Sequence, residues 1–298
     1  MDNKITRKSF LKKASILTLG FTGLGNYLLA NSINTLSDLS YGLIKDPDGI
    51  VNLPSGFKYK IVSQFKDTMN DGLQVPNHAD GMGCFKIDSQ RVALIRNHEL
   101  GRFEEFNFKT DYSKSAFGKI NNIPDWYPLE SMYDQCKDRN PCYGGTTTTI
   151  YNTKNFNVEN EYLSLAGTLV NCSGGITPWG TWITCEETVA KKNSFLMKNH
   201  GYNFEVIPSI KRKLANPQPI KSMGRFRHEA VAFHNGETGS VYQTEDRKDG
   251  LIYRFLPNNK TKLLNGGTLQ ALVFIDELSL DTRNWKKQKV RQGVLFSV

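Results

Sequence analysis

NCSGGITPWGTWITCEE, residues 171–187, is the stretch on which the reading of this chain turns. A polar start with a Gly-Gly pair, a Pro-Trp-Gly turn and the β-branched and aromatic run Trp182-Ile183-Thr184-Cys185 predict a turn that leads into a short strand. A strand that did nothing but pack would alternate apolar and polar residues and stop. This one opens beside Cys172 and ends in two adjacent acids, Glu186 and Glu187.

The same pattern recurs on either side. "HADGMGCF" leads into "RVALIRNHE" (78–99), and "FRHEAVAFHNGETG" leads into "SVYQTED" (226–246). Each unit starts in a polar cluster, crosses a turn and finishes in a strand that delivers acid. Asp80 to Glu99, Cys172 to Glu187 and Glu229 to Asp246 are similarly spaced. Helical periodicity is scarce, while short strand-like runs bounded by Gly, Asn, Asp and Pro recur: "GFKYKIVSQF", "GTTTTIYNT", "GYNFEVIPS", "GLIYRFLP". The expectation is an all-β chain.

An acid-ended strand followed by a further strand suits a four-stranded blade repeated around an axis, so the repeat predicts a β-propeller. Blades take roughly 40–45 residues. The excursion 101–145 has little periodicity, which leaves about four to five blades. The C-terminal "VRQGVLFSV" ends in an apolar, strand-like run without a polar cap, so the propeller is expected to be incomplete. A sandwich with acidic loops is the alternative architecture.

The chain begins with "TRKSFLKK" followed by "ASILTLGFTGLGNYLLA", residues 6–30. That order reads as an N-terminal signal helix, too short for an ordinary membrane span. It is similar to the twin-arginine signal, with Lys8 in place of the second arginine. Residues 1–45 are therefore an export segment and linker and 46–298 the propeller domain. The protein is expected to be exported, periplasmic or extracellular, touching a membrane only if the segment is retained, and to be a monomer.

Lys4, Arg7, Lys8, Lys12 and Lys13 against Asp2 carry +4 of the formal +9, leaving +5 for the remainder. Such mild basicity, without Lys/Arg runs interleaved with aromatics, argues against a nucleic-acid partner. Five cysteines, Cys84, Cys136, Cys142, Cys172 and Cys185, are an odd number for a compartment that favours disulfides. Cys136 and Cys142, in "CKDRNPC", are spaced for a local disulfide; Cys172 is left as a thiol or a metal ligand.

In a propeller, equivalent strand ends converge on one face. That would gather Asp80, Asn97, His98 and Glu99 with Cys172, Glu186 and Glu187 and with His228, Glu229, Glu245, Asp246 and Arg247. Of two adjacent glutamates in a strand, at most one faces the channel. So many acids in one low-dielectric place would repel one another or stay protonated unless cations neutralised them, which points to bound metal. Carboxylate oxygens suit calcium, and a thiolate suits a transition metal. Arg247 has the guanidinium geometry for phosphate oxygens. Trp179 and Trp182 read as core, and His78 and His200, in loops, carry no assignment.

At these residues the chain resembles the PhoX-type alkaline phosphatase family, calcium- and iron-dependent enzymes exported by bacteria. The resemblance is carried by "NHE" (97–99), "CSGGITPWGTWITCEE" (172–187), "GRFRHEAVAF" (224–233) and "YQTEDRKDGLIYRF" (242–255). It implies hydrolysis of small phosphate monoesters by metal-assisted in-line displacement at a Ca2+ and Fe3+ cluster. It further implies that Cys172 is an iron-bridging thiolate with a catalytic part. Glu99, Glu187, Glu229, Glu245 and Asp246 would be metal ligands and Arg247 a catalytic phosphate contact. Two other functions remain open, a non-catalytic calcium-stabilised propeller serving as a binding module and a metal-dependent lactonase-type hydrolase.

Overall fold

The computed structural model describes residues 42–101, 115–118, 123–137, 142–274 and, as backbone, 293–297. The expected signal helix lies outside the described residues. Among those described, no helix is long and apolar enough to cross a membrane. The chain divides into two compact units, residues 1–61 and 62–298. In the first, β1 (Leu43–Ile44) pairs antiparallel with β2 (Leu53–Pro54), and Asp46 organises the turn between them. Its carboxylate accepts the amides of Ile50 at 2.7 Å and Val51 at 3.1 Å and the Tyr59 hydroxyl at 2.8 Å.

Among the described residues, the second unit holds three antiparallel meanders in chain order. The first contains β3 (Ala79–Lys86), β4 (Arg91–His98), β5 (Gly144–Asn152) and β6 (Asn157–Thr168). The second contains β7 (Asn171–Ile176), β8 (Trp182–Glu186) and β9 (Asn203–Val206). The third contains β10 (His228–Phe233), β11 (Val241–Glu245), β12 (Ile252–Pro257), β13 (Gly267–Phe274) and β14 (Gly293–Ser297). Their first strands lie side by side, β3 against β7 and β7 against β10. Meanders packed through their innermost strands are propeller blades, so the described residues form an incomplete, unclosed β-propeller. Four to five blades were expected; the described residues hold four antiparallel sheets, counting the β1–β2 ribbon. The expected excursion 101–145 falls in the first blade, after β4, and its last two residues, Gly144 and Gly145, already belong to β5.

Period-two alternation makes each blade two-faced. Along β4, Ala93, Ile95 and Asn97 are buried while the residues between them are partly exposed. Those faces fill the gaps between blades. Phe85, Ile95, Ile150, Leu165, Trp182 and Phe204 form one core between the first and second blades. Ile183, Met223, Val231, Val241 and Phe255 form another between the second and third. Each fully buried large side chain there contributes roughly 1.5–3 kcal/mol. Glycine is required where the innermost strands meet: a Cβ on Gly175 of β7 would stand 2.2 Å from the Val231 carbonyl oxygen of β10.

Candidate metal centre

The first hairpin of every blade ends in the same way. Ala79 pairs with His98, Asn171 with Glu186 and His228 with Glu245, and after each of these pairs the inner strand carries a bulge. The bulges consist of Asp80-Gly81, Cys172-Ser173 and Glu229-Ala230. Opposite them the outer strand continues one residue further, to Glu99, Glu187 and Asp246. The amides of these three bond the carbonyls of His78, Val170 and Arg227 at 2.8, 2.8 and 3.1 Å. Three blades therefore present three equivalent pairs: Asp80 with Glu99, Cys172 with Glu187, Glu229 with Asp246. A bulge twists a strand and re-aims its side chains, which is how an inner strand can turn two successive residues toward a shared point.

The pairs meet. Cys172 Sγ and carboxylate oxygens of Glu187 and Glu229 all lie within 4.8 Å of one another. The Cys172 thiol reaches from the second blade into the third, donating to the carbonyl oxygens of His228 at 3.1 Å and Glu229 at 3.4 Å. Glu187 is pushed up to about 7 by burial and by the charges of Glu229, Asp246 and Glu99, with Arg227 acting the other way. Burial and the neighbouring Asp80, Glu229 and Asp246 raise Glu99. Burial, Asp246 and Asp80 raise Glu229. Burial first, then the nearby Cys185 and Glu229, pushes the Cys172 thiol far up. These carboxylates and the thiol are costly together without counter-charge, which a bound cation would supply. The donor set fits both expected metals: carboxylate oxygens for a hard cation, one sulfur for a softer transition ion.

The second blade's bulge is held from the first. Asn97, fully buried at the end of β4, donates its side-chain amide to the carbonyls of Cys172 (3.1 Å) and Ser173 (2.7 Å). Its own carbonyl oxygen accepts the Trp182 indole N–H at 2.9 Å. Gly81 completes this approach, since a Cβ there would meet the Ser173 Cα at 2.7 Å.

Residues one step back along the outer strands face the other way. His98 is buried, with Nδ1 3.0 Å from the Asn77 carbonyl and Nε2 2.9 Å from the Thr147 hydroxyl. Glu186 is buried beside His200, with Oε1 2.7 Å from Nδ1, and it accepts the amides of Leu169, Gly201 and Tyr202. Glu245 accepts the Leu251 amide and the Tyr253 hydroxyl, each at 3.2 Å. Glu99, Glu187, Glu229 and Asp246 are thus brought together with Cys172 and Asp80, whereas Glu245 is turned to the β11–β12 connection. Arg247 is exposed and lies on Asp249 at 3.1 Å. His228, fully buried, stacks on Phe226 with ring centroids 3.7 Å apart. Arg227 is the residue sequence reasoning passed over: it stands two places before Glu229 and acts on Glu187. Its position before a bulge acid, like that of His78 and Val170, was the available signal.

A family model described as alkaline phosphatase PhoX matches residues 40–292. Among solved structures, the chain is similar to Pseudomonas fluorescens PhoX, determined in complex with vanadate, a transition state analogue. That likeness has 20% identity and a TM-score of 0.45, covering 67% of this chain and 46% of that one. The chain therefore spans less than half the length of that protein. No curated protein matches it.

Proposed function

The chain belongs to the PhoX alkaline phosphatase family, and from that premise we propose that it is an exported, metal-dependent phosphomonoesterase whose centre is the junction of the three bulges. The observation that carries this reading is the convergence of Cys172, Glu187 and Glu229 from two blades within 4.8 Å, ringed by Asp80, Glu99 and Asp246. Cys172 would hold iron as a thiolate, and the carboxylates would hold calcium and complete the iron site. The bound metals would polarise the phosphoryl oxygens and offset the charge that develops on them in an in-line displacement.

The chain's own residues set the conditions for this. Glu99, Glu187, Glu229 and Asp246 make a field that rejects a phosphate dianion until cations are present, so activity depends on loading. Arg227, close enough to act on Glu187, is placed to orient an anionic group there. Arg247 contributes a second guanidinium once it leaves Asp249, an exchange that its exposure makes inexpensive. Asn97 fixes the Cys172 backbone, so the thiol position does not depend on the metal alone. Glu245 serves as a ligand only if the β11–β12 connection rearranges.

Elemental analysis of the chain purified without chelators, beside p-nitrophenyl phosphate and lactone hydrolysis on the same sample, tests the reading. Iron and calcium with phosphatase turnover are expected, and Cys172→Ser should lose iron and turnover together. Full turnover in Cys172→Ser would remove the proposal. Calcium alone without turnover would favour the binding module, and lactone cleavage the other hydrolase.

A further inference from the structure

A second group of ligating side chains lies behind the first, in the interior. Asp134, Cys142 and His200 are buried, and an Asp134 oxygen, the Cys142 sulfur and a His200 ring nitrogen lie within 4.8 Å of one another. His200 is posed as a metal-binding histidine is. Its Nδ1 donates to Glu186 Oε1 at 2.7 Å, its ring stands edge-on to Tyr133, and its Nε2 faces Asp134 Oδ2 at 3.3 Å and Cys142 Sγ at 3.8 Å. A carboxylate on the far nitrogen fixes tautomer and ring orientation in such sites. Zinc bonds of about 2.0–2.1 Å to nitrogen and oxygen and about 2.3 Å to sulfur, at tetrahedral angles, separate N from O by about 3.3 Å and N from S by about 3.6 Å. The spacing in the structure agrees with both. Asp134 is itself held, Oδ1 by the Cys136 amide at 2.7 Å and Oδ2 by the Lys198 amide at 2.9 Å.

We propose that Asp134, Cys142 and His200 bind a zinc-class divalent ion, with Cys136 as fourth ligand and Glu186 as the carboxylate that orients His200. Cys136 Sγ stands 2.8 Å from Cys142 Sγ, and the two are not joined in a disulfide. Cys136 lies outside the three mutually close ligand atoms and joins them only when its side chain turns away from Cys142, giving an S2NO set of the kind that closed structural zinc sites use. A disulfide between the two would instead remove the Cys142 sulfur as a ligand. Such an ion would brace Glu186, and with it the end of β8, from behind.

The test is zinc content of the full chain, supplied with zinc during expression, in the wild type, Cys172→Ser and Cys142→Ser. About one zinc per chain is expected to survive Cys172→Ser, which spoils only the first centre, and to fall at least about tenfold in Cys142→Ser. Equal zinc in Cys142→Ser and wild type overturns the proposal. Alkylation of the wild type needs no variant to fold: Cys136 and Cys142 should be protected together with zinc and become reactive after chelation. A Cys136–Cys142 disulfide in the zinc-supplied chain, or reactivity indifferent to zinc, overturns it. None of these readings depends on phosphatase turnover, so failure here leaves the phosphatase proposal standing.

Discussion

The side chain of Asn97 donates to the backbone carbonyl of Cys172 at 3.1 Å, linking the last inward residue of one blade to the bulge of the next. It also bonds Ser173 and receives the Trp182 indole, so both ends of the amide are used. Asn97→Ala should strand these buried groups and cost about 1–3 kcal/mol. Urea unfolding of the metal-free chain measures that cost. A metal titration of the same variant should show weaker binding, because the Cys172 backbone is no longer fixed.

Glu186 and Glu187 are expected to separate cleanly on mutation. Glu186→Gln replaces an acceptor of three backbone amides and a histidine with a group that must present an NH2 to two of these four donors. The loss should be about 3 kcal/mol in stability. Glu187→Gln should leave the metal-free fold intact and weaken metal binding. Thermal melts and metal content, run on both variants, check the contrast.

Glu187 adds a pH dependence of its own to the metal-free chain. Its pKa is raised from the usual glutamate 4.5 to about 7, so the folded state holds a proton that the unfolded chain has already released. Stability from this group is therefore fully present below about pH 4.5, falls as pH rises to about 7 and is level above that. Urea midpoints at pH 5 and pH 8 isolate this share as the difference between wild type and Glu187→Gln, the wild type losing more as pH rises. The difference is needed because Glu99, Glu229 and His200 push the profile the same way and buried His98 and His228 the opposite way. Loading the wild type with calcium should remove the Glu187 share as well, by replacing the proton.

Gly175→Ala would place a methyl 2.2 Å from the Val231 carbonyl and force the second and third blades apart. The expected cost is about 2 kcal/mol or more. Because Cys172 and Glu229 sit on those same two blades, metal binding should fall with it. Calorimetry and metal content together check this.

Much of this was legible in the sequence. The three acid-ended units are the first hairpins of the three blades, and the spacings Asp80 to Glu99, Cys172 to Glu187 and Glu229 to Asp246 are the three bulge pairs. A repeat shows through because each blade must solve the same local problem with the same turn and strand chemistry. The parity of the strand ends was harder to read. Only the bulge decides whether Glu245 or Asp246 turns inward, and a bulge is an offset between two strands that neither sequence displays alone. Trp182 is core, as expected, yet its N–H also serves Asn97. His200 carried no assignment because its partners, Asp134, Cys142 and Glu186, come from three distant segments.

The repeated bulge also makes the centre a property of the seams. Each blade brings a two-residue share, and no share is sufficient by itself, since Cys172 finds Glu229 only across a blade boundary. A single hairpin carries donors without a site, so anything that slides one blade against the next, however far from the donors, reaches the centre. The bulge keeps each share in its place whatever its identity, aspartate in one blade and cysteine in the next.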